Sequence, residues 1–288
     1  MRLILLTMLF LCLATAAFAT DGVLEINQAC AVGTGAATEG CFPGDEPGLP
    51  VTINRDQPGS YRLTGPLILD DPNATAIVVA DSHVVLDLNG FAISGPTSCS
   101  GDPVQCTTTG TGKGIAVDPP TSPGVPGGVV VRNGIVRGMG STGIDLGSEA
   151  RIENVHAVSN GVNGISAGAL SVVAGCRVIR NGFYGILVGQ QALVEGNTVA
   201  GNGQPAILAL TGCVIRGNVV SHNAYAAIDT SNAPSGGCLI TDNSFTDNGP
   251  ALFSTSDGYA RNVFRNTSVS GGVQIDANLC GTSSCSSP

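Results

Sequence analysis

Ser159, Arg180, Gly201, His222 and Asp247 follow one another at steps of 21, 21, 21 and 25 residues, and three of them are a cation, a base and an acid. A carboxylate beside an imidazole orients it and makes it a better base, while a guanidinium can hold a sugar carboxylate; together they could take a proton from a uronate ring. If each step is one turn of a stacked coil, His222 and Asp247 lie about 5 Å apart, with Arg180 about 10 Å from His222. Arg180, His222 and Asp247 are therefore the candidate catalytic residues, although such a column reads equally as ordinary surface ion pairing. Tyr184 and Tyr225, with Phe183, follow closely in the chain. They offer flat aromatic surface for a pyranose ring, or they pack loops against the coil.

These residues need a scaffold that repeats every 21 residues, and the chain contains one. Ile144, Ile165, Ile186, Ile207 and Ile228 are equally spaced, as are Val131, Ile152, Val173, Val194 and Ile215. A polar column, Asn160, Asn181, Asn202 and Asn223, continues to Asn248 after a step of 25. Within one repeat, Ser171 with Val173, Cys176 with Val178, and Ile186 with Val188 are each two apart, so each pair points to one face of a short strand. Gly175 and the Asn181-Gly182 pair are expected to turn the chain through positive φ. Three short strands per coil of about 21 residues make an all-β, right-handed parallel β-helix solenoid with capped ends, in which each coil packs only on its neighbours. Buried asparagine amides in such a stack must bond to one another or to backbone. The Asn columns are accordingly structural.

Residues 1–19 read as a signal peptide, with Arg2, an apolar run, and Ala17 and Ala19 in a small-residue cleavage pattern. Residues 20–50 form an N-terminal cap, 51–275 the helix, and 276–288 a tail. Insertions at 96–112, 118–128 and 231–237 interrupt the repeat and are the natural places for specificity. Export also suits the cysteines. Cys30 with Cys41, Cys99 with Cys106, and Cys280 with Cys285 are short-range disulfide candidates. Cys213 and Cys238 occupy one inward column and are either a coil-to-coil bridge or two buried thiols. Cys176 reads as a free thiol.

Formal net charge is -9 and Lys113 is the only lysine. That excludes a nucleic-acid footprint and opposes unassisted binding of a strongly anionic polysaccharide. No segment beyond the leader is long enough to span a bilayer. No metal site is expected: C-x-x-C is absent, and beyond the leader only Met139, His83, His156 and His222 are present, too few for copper.

The repeated G-N-x-V-x-x-N-G element, as GNTVAGNG at 196–203, and the G-I element of the third strand resemble the right-handed parallel β-helix repeat proteins of the pectin-lyase-like superfamily. The resemblance covers about 51–275. Openings at 58–69 and 86–96 are similar to those of secreted bacterial members to which no activity is assigned. The resemblance implies a fold shared by polysaccharide lyases, hydrolases and epimerases. Its hydrolases carry G-H-G and R-x-K, both absent here, and its lyases hold Ca²⁺ in a carboxylate cluster, for which Asp70-Asp71 before Pro72 is a poor substitute. The expectation is a monomer, secreted or held at the cell surface with the periplasm as a further location, that binds polysaccharide or serves as a rigid surface element, without a cofactor. The alternatives are a lyase or epimerase acting on a uronic-acid glycan, where alone Ca²⁺ would enter, or a purely structural or adhesive protein.

Overall fold

The computed structural model describes residues 22–33, 40–54, 59–117, 126–231, 237–281 and 283–284. The expected signal peptide lies outside them, as do most of the 118–128 insertion, the centre of the 231–237 insertion, and Cys285.

The chain is a right-handed parallel β-helix. One regular coil runs Val172–Ala174, Arg177–Ile179 and Ile186–Val188, and the next stacks on it in register, Val173 on Val194, Val178 on Val199 and Ile186 on Ile207. The third strands form one ten-stranded sheet, while the first and second strands belong to a twenty-stranded one. The isoleucine column pairs without a break from Ile77 through Ile115 to Ile228. Its members are fully buried, each stabilising the core by roughly 1.5–3 kcal/mol. The longer step of 25 leaves the register intact, since Val220 pairs with Phe245.

Each coil turns at three corners, and the corner residue is left-handed. Gly175 (φ 62°) divides the first two strands as expected, and in the preceding coils Asn133 and Asn154 bend single continuous strands at that point. The second corner differs from expectation. Arg180, at φ 55°, makes that turn, with Ser159, Gly201, His222 and Asp247 in the same conformation. Asn181 and Gly182 have ordinary negative φ. Gly182 is needed for a different reason: a Cβ there would meet the Gly161 carbonyl oxygen at 2.3 Å, and Gly161 and Gly203 are in the same position against the coil before.

Asparagine contributes hydrogen bonds. The Asn202 Oδ1 accepts from the Asn181 backbone N–H and Nδ2, both at 3.0 Å, while the Asn202 Nδ2 donates to the Val178 carbonyl and to Asn223 Oδ1. A second ladder, Asn197, Asn218 and Asn243, continues to Asn262 and Asn278. The inward column containing Cys213 and Cys238 works likewise. Ser171 Oγ accepts from the Ala150 N–H, Cys238 Sγ from the Cys213 N–H at 3.3 Å, and Asp257 Oδ1 from the Cys238 N–H at 2.7 Å. Cys213 and Cys238 are free thiols, so the coil-to-coil bridge is not formed. Sulfur here takes the place of the ladder's oxygen acceptor. Cys176 is also free, and burial pushes its thiol up to about 11.

The helix begins before residue 51. Val23–Ile26 pairs in parallel with Ser60–Leu63, and the helix Gln28–Val32, capped by Asn27 and tied by the Cys30–Cys41 disulfide, follows it. At the other end Leu279–Cys280 continues the stack on Val263 and Phe264, and Ser283–Ser284 adds an antiparallel closing strand. Cys280 is disulfide-bonded.

The 96–112 insertion does not project away from the coil. It forms an antiparallel hairpin, Ser98–Ser100 with Gln105–Thr107, cross-linked by Cys99–Cys106. The hairpin lies along the helix axis over the glycine column. Thr109 sits against Gly161, Cys106 against Gly182 and Val104 against Gly203, each within about 3 Å of where a Cβ would stand. Any larger side chain in that column would lift the hairpin off.

Candidate functional site

The second strand of each coil presents one flat outward face beside the hairpin. Stacking places His156 beside Arg177, and Val158, Ile179 and Ala200 in the next outward column. The left-handed corner then splays Arg180 and His222 outward from the rim, because the reversed φ swings Cβ away from the strand plane. Between them stand Ala200 and Gly201, whose small size leaves a depression. The result is an open groove of about 600 Å³, floored by Val158, Ile179, Ala200 and Gly201 and rimmed by His156, Arg177, Arg180 and His222. It continues into a smaller cavity of about 230 Å³ under the hairpin tip, where Gly101, Asp102 and Val104 face Arg180, Gly201, Asn202 and His222.

The three residues singled out by their spacing are thus brought together. His222 Nε2 stands 3.6 Å from Asp247 Oδ2 on the adjacent coil. Asp247 Oδ1 accepts a hydrogen bond from Asn266 Nδ2 at 2.9 Å, which turns the other oxygen toward the imidazole. Arg180, two coils from His222 at about 10 Å, lines both parts of the groove. The pair is 62% and 44% exposed, so as a purely structural contact it contributes no more than about 1 kcal/mol. Asp102, from the hairpin tip, is a second carboxylate near His222 that the repeat could not reveal, since it belongs to no column.

The tyrosines are placed differently. Tyr225 is exposed, but Tyr184 is partly buried and packs edge-on against Phe183, with centroids 4.4 Å apart; Phe183 is the exposed ring of that pair. Neither tyrosine lines the groove. Both lie past the glycine column that carries the hairpin, which stands between the aromatic corner and the basic one. Arg177 and His156 were missed in the sequence. Their column, Ile135, His156, Arg177, Thr198, Val219, is chemically irregular, and only its alternation with the buried column marks it as outward.

Potential metal ligands do not converge. Met139 is buried in the core. His156 and His222 are three coils or about 14 Å apart along the axis, and His83 packs against Gly128 in a separate corner. Among the described residues no three His, Cys, Asp or Glu side chains come together to hold an ion.

Against known proteins, the family described as periplasmic copper-binding protein (NosD) matches residues 97–279. No curated protein matches the chain. Among solved structures, the enzymatically active domain of tailspike protein 2 of bacteriophage CBA120 is similar with a TM-score of 0.52 at 14% identity, over 79% of this chain and 37% of that one. The Dettilon tailspike protein aligns at 0.41 and 13% identity, over 79% and 53% of the two chains. The A-module of an Azotobacter vinelandii mannuronan C-5 epimerase aligns at 0.33 and 15% identity, over 80% and 91%. The chain spans well under half of the first of these, and the likeness is one of fold.

Proposed function

The chain belongs to the NosD family of parallel β-helix proteins, and from that premise we propose that it is an exported protein that binds a polysaccharide in the groove between its second face and the 96–112 hairpin. One observation carries the reading: an extended, open depression, rimmed by hydrogen-bonding side chains and roofed at one end by a cross-linked hairpin. An open groove on a rigid face suits a chain ligand that enters sideways, whereas a small molecule is usually enclosed. Export rests on the leader-like segment 1–19, on disulfides that persist in oxidising compartments, and on the periplasmic character of the family. Among the described residues no helix is long and apolar enough to cross a membrane.

Copper, named in the family's description, does not fit this chain's own donors. Among the described residues Met139 is buried and the histidines are scattered, so no role is assigned to that metal. Nor, among the described residues, do carboxylates gather as a Ca²⁺ site would require.

A second reading follows from the His222–Asp247 contact. A neutral His222 would withdraw the proton next to a uronate carboxyl, Asp247 would stabilise the imidazolium so formed, and Arg180 would hold the carboxylate as negative charge develops. Delivery of a proton from water to the opposite face of the carbanion gives an epimer, with the imidazolium later giving its proton back to solvent; departure of the glycosidic oxygen, which takes its proton from the imidazolium or from water, gives an unsaturated sugar. A glycan array and a uronide-lyase assay on the mature chain, with and without Ca²⁺, test both readings. Binding without turnover supports the binder, and an unsaturated product abolished by His222→Ala supports the enzyme. Absence of binding to every glycan leaves the purely structural role.

A further inference from the structure

The groove's charge departs from that of the whole chain. The sequence has 21 acidic residues against 12 Lys and Arg, so a surface cation has no shortage of partners. Six of them have one: Arg62, Lys113, Arg132, Arg151, Arg216 and Arg261 each meet a carboxylate within ion-pair distance, several at 2.5–3.1 Å. Among the described residues the other four, Arg137, Arg177, Arg180 and Arg265, do not. All four lie on the second strands or the corner that ends them.

Their placement is ordered. Arg137 and Arg265 end the same outward column, linked by unbroken register through Val158, Ile179, Ala200, Ser221 and Thr246. Six coil steps separate them, about 29 Å. Arg177 and Arg180 stand between, on the groove rim, with His156 and His222 beside them. No carboxylate lines the 600 Å³ groove; Asp102 borders only the cavity under the hairpin. Among the described residues the other arginines are ion-paired, and here a stripe of four meets no carboxylate over a floor of small residues, Arg137 donating only to the Ser94 hydroxyl at 3.0 Å.

We infer that the ligand of this groove is an acidic glycan, whose carboxylates or sulfate esters supply the partners that the four arginines lack. This rests on the polysaccharide-binding reading and names its substrate class. It also revises the expectation drawn from net charge. A net charge of -9 repels a polyanion at long range, but screening confines that repulsion to about 10 Å at ordinary ionic strength. Inside the groove the nearest charges are guanidinium groups, which match a carboxylate or sulfate with paired, charge-assisted hydrogen bonds. Orientation follows as well. Arg137 and Arg265 are separated along the helix axis, so the glycan lies parallel to that axis and passes the hairpin tip and His222 on its way.

The test compares each acidic polymer with its neutral twin. Alginate, polygalacturonate and chondroitin, each with its carboxyl-reduced counterpart, together with dextran sulfate and dextran, are titrated against the mature chain by calorimetry at low and high salt. Wild type is expected to bind at least one acidic polymer, about tenfold or more tighter than its neutral twin, and to weaken as salt rises. Arg177→Gln and Arg180→Asn, the latter chosen because asparagine tolerates the left-handed corner, should each lose about tenfold. Arg216→Gln, which removes an ion-paired arginine of the first face, should lose nothing. Thermal melts confirm that each variant is folded. Binding confined to neutral polymers, or undiminished in both groove variants, overturns the inference while leaving polysaccharide binding standing. Failure to bind any polymer in this set or on the wider glycan array overturns both.

Discussion

Asn202 makes four side-chain hydrogen bonds, two accepted from Asn181 and two donated to Val178 and Asn223. Leucine fills a similar volume and makes none of them. Asn202→Leu therefore leaves buried donors and acceptors on two neighbouring coils without partners, at about 1–3 kcal/mol each. A loss of about 3–5 kcal/mol in urea unfolding is expected. Such residues are recognisable from spacing, because an amide repeated at a fixed interval has few other places to go. The corner residues are less so. Arg180 and His222 adopt φ of 55° although neither is a usual left-handed residue, and nothing in their chemistry announces it. The sequence points to a turn one residue later, at Asn181-Gly182, because asparagine and glycine carry that signal in most sequences. In this coil the same two residues serve the ladder and a close backbone contact.

At the scale of elements, the hairpin decides what the groove is. It is short, it makes few backbone bonds to the coil, and its shape depends on Cys99–Cys106. The double variant Cys99→Ser, Cys106→Ser is expected to weaken glycan binding about tenfold while the melting temperature of the coil body moves only a few degrees, since the loop it closes is local. Equal loss of binding and of coil stability would instead make the hairpin part of the core. The coils themselves were legible at once: every strand of the regular coils, the register across the 25-residue step, and the buried columns follow from counting. The hairpin's direction was not. An insertion leaves the repeat and so loses the ruler, and its course along the axis is set by a row of glycines whose role is steric. Asp102 was invisible for the same reason, and the pairing of Tyr184 with Phe183 could not be told from a sugar-stacking face.

The whole molecule is a stack in which each coil touches only its neighbours, so its stability is not uniform. Interior coils have partners on both sides, while among the described residues Val273–Gln274 and Val269–Ser270 each pair with one strand only, and Val273 and Ile275 are exposed. Hydrogen exchange should be slowest between about residues 144 and 230 and faster by roughly two orders of magnitude or more beyond Val269, where fraying requires breaking one interface only. Uniform exchange along the chain would indicate a single cooperative unit. The acidic surplus is spread along the same stack, and its overall sign conceals the stripe of arginines that, among the described residues, meet no carboxylate.

The docking of the hairpin across Gly161, Gly182 and Gly203 also bears on how such a chain can change over generations. Solenoids grow and shrink by duplicating or losing whole repeats. A repeat gained or lost between the hairpin's root and His222 would slide the tip one storey away from its counterpart, leaving Asp102 opposite a different corner. Beyond Asn266, which still holds Asp247, the hairpin imposes no such constraint, and repeats there can multiply without moving the groove. Length variation among descendants of this sequence is therefore expected on the C-terminal side of the groove, with the number of storeys spanned by the hairpin held constant.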